Sequence, residues 1–277
     1  MKYGFVLPFG DARTAADYAY DAERAGWDGF FVAETVWGVD AWVSLTAAAM
    51  RTERIRLGTL LTPVSRRRPW KLASETATLD QLSGGRVILV VGLGALDTGF
   101  AEFGEATDRK TRAELLDEGL DIVTGLWRGQ PFSYSGKHYT VRPLKWPGIF
   151  PAQEPRIPIW SVAAWPRPRS MARALRYDGV LPAPMGPDGK FRPLTHDDVR
   201  AIRDYARTSR AETTPLDIVV EGVTPVGDRA GGVEIARAWS DAGATWWIES
   251  MWDTPGTPEE VRATVHRRLL EGPPQFE

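Results

Sequence analysis

Residues 86–95 of this 277-residue chain read RVILVVGLGA, and the fold depends on how this stretch is interpreted. An apolar run of strand character ends in a glycine-x-glycine turn at Gly92 and Gly94. A dinucleotide-binding turn needs a third glycine three residues later, at the start of a helix. That position is Asp97, and the segment DTGFAEFGEATD that begins there has no helical pattern. The stretch is therefore an incomplete dinucleotide fingerprint, and the rest of the chain has to decide the fold.

On both sides of this stretch, strand-like runs alternate with helix-like runs. The predicted strands cover residues 2–9, 29–33, 55–61, 87–91, 157–162, 179–181, 216–221 and 245–249. Eight strand–helix units predict one α/β domain over residues 1–277, a (β/α)8 TIM barrel. We expect insertions after the fourth and sixth strands, the first of them a hairpin and loop at about 131–156. The alternative is an open doubly wound sheet, which is less favoured because no turn carries the complete fingerprint.

The composition excludes several kinds of site. The chain has no cysteine and three widely separated histidines, so disulfides and zinc–cysteine sites are excluded and no metal site is predicted. A net charge of −2 gives no electrostatic reason to expect nucleic acid or an anionic membrane as a partner. The amino terminus is strand-like and does not resemble a signal peptide, and no apolar run reaches membrane-spanning length. We therefore expect a soluble, cytoplasmic protein.

In a barrel, the residues that follow the strands meet at one mouth. Glu34, Glu221 and Glu249 are the candidate acid–base groups there, and Glu34 and Glu249 are predicted to be catalytic. Flat apolar walls suit a planar ring system. The predicted substrate pocket accordingly consists of Trp37, Asp40, Glu221, Trp247 and Trp252. Of the adjacent Trp246 and Trp247, one should point into the barrel and the other toward the helices.

A second group of residues suits a phosphate. Arg167, Arg169 and Ser170 lie at a predicted helix amino terminus. Free backbone N–H groups, the helix dipole and two guanidinium ions together favour an anion at such a position. The alternative interpretation is a solvated basic turn.

Several segments resemble the bacterial luciferase-like flavin-dependent oxidoreductases. The first is RIRLGTLLTPVSRRRPWKLASETATLDQLSGGRVILVVGLG (54–94), in which the TLDQLSGGR block is highly specific. The likeness continues through ELLDEGLDIVTGLWRG (114–129), FSYSGKHY (132–139), PRIPIW (155–160) and ARALRYDGVLP (172–182). The resemblance covers nearly the whole chain and implies a (β/α)8 barrel, in agreement with the strand count.

The resemblance also implies where a flavin would bind. Its ring would lie against the end of the third strand, often beside a non-proline cis peptide, and its ribityl chain beside the turn after the fourth strand. Its phosphate would lie near the long helix and the turn after the fifth strand. The matching positions are Leu60 and Leu61, then Gly92, Leu93 and Gly94, then Arg112, and finally Ala164, Trp165, Arg167, Arg169 and Ser170.

The chain departs from the family pattern at two places. The histidine pair of luciferases after the second-strand glutamate, and the Asp-His of many deazaflavin-using relatives, are replaced by Thr35 and Val36 after Glu34. The reactive cysteine of luciferases corresponds to Gly92. Aldehyde-dependent light emission is therefore not expected.

The resemblance implies an FMN-dependent monooxygenase that uses O2 and reduced FMN, supplied by a separate NAD(P)H:flavin reductase, on a small apolar or aromatic substrate. One alternative is hydride transfer with the deazaflavin coenzyme F-420, whose acidic tail needs a basic groove such as Arg66, Arg67 and Arg68. Others are a non-catalytic flavin-binding protein and a lyase or isomerase that acts on a phosphorylated metabolite. Members of the family are commonly homodimers or tetramers, and we expect the same here.

Overall fold

The predicted strands pair in parallel and close into a barrel in the computed structural model, which describes residues 1–276. The strands are β1 (Lys2–Leu7), β2 (Gly29–Val32), β3 (Arg56–Thr59), β4 (Thr62–Pro63), β5 (Val87–Gly92), β6 (Tyr134–Ser135), β7 (Thr140–Val141), β8 (Ile159–Trp165), β9 (Gly179–Pro184), β10 (Asp217–Gly222) and β11 (Trp246–Glu249). Hydrogen bonds connect the ring in the order β1-β2-β3-β5-β8-β9-β10-β11 and back to β1. The predicted (β/α)8 barrel is confirmed, and the open sheet is excluded.

Helices surround the barrel and follow its strands along the chain. They are α1 (Ala12–Ala25), α2 (Ala41–Ala49), α3 (Pro69–Ser83), α4 (Arg109–Arg128), α5 (Pro168–Leu175), α6 (His196–Ser209), α7 (Arg229–Ala242) and α8 (Pro258–Leu270). Short 3-10 turns cover Val64–Arg66 and Leu96–Thr98. Because each helix begins after the carboxyl end of a strand, the helix amino termini lie toward the mouth of the barrel.

Three aromatic side chains fill the barrel below its mouth. Phe31, Trp160 and Trp246 are at most 1% exposed. The ring centroids of the two tryptophans are 5.0 Å apart, and those of Phe31 and Trp160 are 5.8 Å apart. A Cβ atom at Gly58 would lie 2.5 Å from the carbonyl oxygen of Ile88 and 3.0 Å from the Phe31 ring, so only glycine fits. The interior is a packed core, and a ligand has to bind at the strand ends.

The third predicted strand, residues 55–61, is interrupted near the mouth. β3 ends at Thr59, the Leu60–Leu61 peptide bond is cis, and the chain resumes as β4. Thr62 and Pro63 of β4 then pair with the last two residues of β5. Leu60 and Leu61 therefore lie at the mouth, and their contact with a flavin ring stays a prediction.

The first insertion is attached to α4. The hairpin formed by β6 and β7 lies on this helix, because the Glu118 carboxylate accepts hydrogen bonds from the backbone N–H groups of Lys137, His138 and Tyr139 at 2.8, 3.0 and 3.0 Å. One carboxylate thus satisfies three backbone donors of the turn. His138 is held by this contact and by Glu114 of the same helix, 3.0 Å from its Nε2 atom.

The alternation of side chains along β11 corrects two site predictions. Trp246 and Ile248 face the barrel interior, so Trp247 and Glu249 face the helices. The Glu249 carboxylate is fully buried, accepts hydrogen bonds from the Thr224 backbone N–H at 2.6 Å and from Trp247 Nε1 at 3.1 Å, and pairs with Arg268 at 3.2 Å. The predictions that Glu249 is catalytic and that Trp247 lines the substrate pocket are wrong, because both side chains lie outside the barrel wall.

Replacing Glu249 with Gln is expected to lower the free energy of unfolding by about 3 kcal/mol, because Arg268 would keep a buried charge without its partner. Urea denaturation of the purified variant measures this change. Glu212→Gln, which removes the same charge from an exposed loop, is the control and should leave the unfolding midpoint unchanged. An unchanged midpoint for Glu249→Gln would contradict the structural role of this residue.

Candidate functional site

The turn after β5 lies close to its neighbours at the mouth. A Cβ atom on Gly92 would come 2.8 Å from Leu61 Cδ2 and 3.3 Å from Val162 Cγ2. Gly94 has a φ angle of +78°, and a Cβ atom there would lie 2.8 Å from the Phe100 ring. Both glycines are therefore required by close approach, and Gly94 also by its left-handed backbone. In this turn, the backbone of Leu93 and Gly94 faces α4.

Two helix amino termini lie side by side next to this turn. Arg173 of α5 forms an ion pair with Asp117 of α4 and places its Nη2 atom 3.5 Å from the carbonyl oxygen of Ala113. The preceding turns of the two helices, which carry Arg109 and Arg169, therefore lie toward the mouth. The helix dipoles add positive potential at this place.

Arg112, on the first turns of α4, is a buried cation without a carboxylate partner in the described part of the chain. It is 6% exposed, and its Nη1 atom donates to the carbonyl oxygens of Leu93 and Gly94 at 2.9 and 3.1 Å. Its Nε atom is buried and has no hydrogen-bond partner. Burial, together with the nearby Arg109 guanidinium, lowers the pKa of Arg112. An unpaired buried guanidinium of this kind fits an anion such as a phosphate.

The turn between β8 and α5 supplies further anion-binding groups. Ser170 Oγ accepts a hydrogen bond from the Ala164 backbone N–H at 2.9 Å, which leaves the hydroxyl hydrogen free to donate. The guanidinium groups of Arg167 and Arg169 make no hydrogen bond or ion pair with any residue among 1–276. Trp165 is partly buried, with its ring 5.7 Å from that of Tyr205. The structure thus brings the predicted phosphate-binding residues of α4 and α5 to one end of the barrel.

Glu34 is held in a closed network at the rim. Its carboxylate accepts hydrogen bonds from Thr62 Oγ1 at 2.6 Å, Trp42 Nε1 at 3.2 Å and Arg66 Nη2 at 2.9 Å. Burial raises the pKa of Glu34, although Arg67 and Arg66 oppose this effect. Glu34 thus connects β2, α2 and β4 through Trp42, Thr62 and Arg66. Because these contacts occupy a carboxylate that is almost fully buried, the arrangement supports a structural role for Glu34 and not the predicted catalytic one.

This network also changes the interpretation of the basic run that follows β4. Arg66 pairs with Glu34, and Arg67 pairs with Glu75. Arg68 lies with its guanidinium 5.9 Å from the Trp70 ring and has no ion-pair partner in residues 1–276. The proposed basic groove at residues 66–68 is therefore reduced to one arginine.

Glu221 is the carboxylate that faces the mouth. Val219 of the same strand lies in the barrel interior and Val220 in the outer layer, so Glu221 points inward at the end of β10. Its Oε2 atom accepts a hydrogen bond from Trp252 Nε1 at 3.4 Å and one from Ser250 Oγ at 3.2 Å, whose hydrogen is shared with the Ile248 carbonyl oxygen at 3.1 Å. Its side chain is accessible to solvent, yet the surrounding walls desolvate it and raise its pKa. Sequence reasoning missed Ser250, which the inward alternation of residues 246, 248 and 250 would have revealed.

Exposed aromatic side chains form the outer rim. Trp37 is 81% exposed and stacks on Phe103 of the loop after β5, with ring centroids 6.4 Å apart. Trp252 is 40% exposed beside Glu221. Asp40 is placed differently from the prediction, because its carboxylate caps α2 by accepting from the Val43 N–H at 2.9 Å. Phe103 was not predicted, since its loop has no regular pattern.

The described residues also bear on metal sites and membrane-spanning helices. No three His, Cys, Asp or Glu side chains within residues 1–276 are grouped closely enough to hold a metal ion. No helix in that range is long and apolar enough to cross a membrane.

Comparison with known proteins identifies related sequences. The chain is 34% identical over 199 residues to a putative coenzyme F-420-dependent oxidoreductase of Mycobacterium tuberculosis. The aligned region covers 66% of this chain and 55% of that protein. It is 31% identical over 239 residues to a coenzyme F-420-dependent glucose-6-phosphate dehydrogenase of Beutenbergia cavernae. Here the aligned region covers 82% of this chain and 68% of that protein. The match thus spans only about half of the length of the first relative.

A solved structure shares the fold. The FMN complex of the oxygenating constituent of 3,6-diketocamphane monooxygenase from Pseudomonas putida superimposes with a TM-score of 0.75 at 14% identity, and covers 100% of this chain and 99% of that one. The profile of the luciferase-like monooxygenases matches residues 1–272. A match over nearly the full length, together with the closed barrel, shows that this chain belongs to the luciferase-like monooxygenase family.

Proposed function

We propose that the mouth binds the deazaflavin coenzyme F-420 and that the protein is a hydride-transferring oxidoreductase. The observation that carries the proposal is the unpaired buried guanidinium of Arg112, with its unsatisfied Nε atom, beside the α5 amino terminus. Arg112, Arg169 and Ser170 would hold the cofactor phosphate, while Leu60 and Leu61 would lie against the ring. When bound, the cofactor supplies a two-electron acceptor or donor of hydride. The chain contributes binding, orientation and an apolar environment.

Two observations favour the deazaflavin over FMN. Two of the relatives, at 34% and 31% identity, are named for coenzyme F-420, whereas the FMN-containing structure at 14% identity shares the fold alone. In addition, Arg109, Arg112, Arg167 and Arg169 bring more positive charge to one end of the mouth than a single phosphate requires. The surplus suits the acidic tail of the deazaflavin, which continues from the phosphate. Arg109 and Arg167, which are not assigned to the phosphate, would take the place of the groove expected at residues 66–68.

An FMN-dependent monooxygenase is the second candidate. The binding of Arg66 to Glu34 and of Arg67 to Glu75 removes two of the cations that a tail could use, and FMN has no tail. The apolar wall formed by Leu60, Leu61 and Val162 would exclude water, as oxygen chemistry requires. This function would need reduced FMN from a separate NAD(P)H:flavin reductase.

Equilibrium titration of the purified protein with the deazaflavin, FMN and reduced FMN, followed by absorbance and fluorescence, tests the proposal. We expect the deazaflavin to bind at least about tenfold more tightly than either form of FMN, equivalent to about 1.4 kcal/mol. Arg169→Ala should weaken deazaflavin binding at least about fivefold through the loss of one charge-assisted hydrogen bond. Arg128→Ala removes an exposed arginine at the opposite end of α4 and should leave the affinity unchanged.

The outcomes separate the candidates. Tighter binding of reduced FMN would overturn the deazaflavin proposal in favour of the monooxygenase. Binding of none of the three would contradict both. Deazaflavin affinity that is equal in Arg169→Ala and wild type would show that the α5 turn does not hold the phosphate.

A further inference from the structure

The mouth contains one carboxylate that the cofactor site does not use. Glu221 points inward at the end of β10, and both of its hydrogen bonds, from Ser250 and Trp252, reach the Oε2 atom. Its Oε1 atom accepts no hydrogen bond from any residue among 1–276. A carboxylate with a free oxygen that is open to solvent can accept a hydrogen bond from a ligand.

The surroundings of Glu221 are otherwise uncharged. No lysine, arginine or histidine within the described chain forms an ion pair with it, and the groups that face it are the Ser250 hydroxyl and the Trp252 indole N–H. The arginines of the mouth are located elsewhere. Arg66 and Arg67 are bound to acidic side chains, and Arg112 lies on the β5 and α5 side of the barrel. Among residues 1–276, no cation pairs with Glu221 that would compensate a second negative charge.

We propose that Glu221 is a catalytic residue that takes the hydroxyl proton of an uncharged, apolar alcohol substrate and excludes anionic substrates. This inference rests on the proposed deazaflavin-dependent function. In alcohol oxidation, the carbinol C–H bond breaks and its electron pair leaves as hydride to the deazaflavin, which is the oxidant. The O–H bond breaks as Glu221 accepts the proton, and the C=O double bond forms. Glu221 then releases the proton to solvent, to which it is accessible.

The apolar surroundings of Glu221 suit both directions of this transfer. Desolvation raises its pKa, while the Ser250 and Trp252 hydrogen bonds oppose the rise. A carboxyl group whose pKa lies closer to neutrality is a better proton acceptor and donor at physiological pH. The exposed face of Trp252 and the Trp37–Phe103 pair at the rim offer apolar contacts for the body of the substrate.

Substrate-probe binding to the deazaflavin-saturated protein tests the inference without relying on turnover. Cyclohexanol serves as the neutral probe and cyclohexanesulfonate, which stays anionic at every pH used, as the charged probe. We expect wild type to bind cyclohexanol at least about tenfold more tightly than the sulfonate at pH 8. Sulfonate binding should strengthen as the pH falls through the raised pKa of Glu221, because protonation removes the repulsion.

Glu221→Gln should bind the sulfonate as well at pH 8 as at low pH, and should reduce hydride transfer from cyclohexanol at least about 100-fold. Glu212→Gln should behave as wild type in both measurements. Ser250→Ala provides a second test, because the loss of a hydrogen bond to the carboxylate should move the pH midpoint of sulfonate binding upward.

The two proposals fail in different ways. If the protein does not bind the deazaflavin, both the proposed function and this inference are overturned. If the deazaflavin binds but the ratio of cyclohexanol to sulfonate affinity is the same in wild type and Glu221→Gln, the role of Glu221 is overturned and the proposed cofactor stands. A pH-independent sulfonate affinity in wild type would also contradict the inference.

Discussion

The contact on which the candidate site depends is the hydrogen bonding of Arg112 to the carbonyl oxygens of Leu93 and Gly94. It fixes the turn after β5 to the start of α4, so the barrel wall and the outer helix layer meet at one point. It also leaves a buried cation with an unsatisfied Nε atom. A buried charge without a partner is costly, and a bound phosphate would supply the missing partner. The arrangement is therefore explained by a ligand more simply than by folding alone.

The two-residue alternation of strands determines which acidic residue at the end of a strand faces the mouth. On β10 the alternation turns Glu221 inward, whereas on β11 it turns Glu249 outward to Arg268. Glu34, after β2, is drawn into the rim by Thr62 and Arg66. Three glutamates that look equivalent in sequence thus have a mouth-facing, a core and a rim position. Of these three, Glu221 alone faces the mouth, because the other two stabilise the structure around it.

The sequence was sufficient for the barrel. Strong apolar runs bounded by glycine and proline located the strands, and even the weak strand predicted at 179–181 is present as the longer β9. The residues predicted to hold a phosphate, Arg112, Arg169 and Ser170, lie at one end of the barrel, and that role stays a prediction. The sequence was not sufficient for the direction of side chains at strand ends, because a pattern gives the period of a strand but not its phase. Trp247 and Glu249 were misplaced for this reason.

Pairings between distant segments were also beyond the sequence. Nothing local indicates that Arg66 binds Glu34, 32 residues away, or that Trp37 stacks on Phe103. Such contacts depend on which loops the closed barrel brings together. They decide which arginines remain free for a ligand.

A crystal structure of the protein with the bound deazaflavin would test the cofactor site. We expect the cofactor phosphate within hydrogen-bond distance of Arg112 and the α5 amino terminus, with the ring against Leu61 and on the side of the mouth that Glu221 faces. A phosphate bound away from α4 and α5, or a ring outside the mouth, would contradict this expectation.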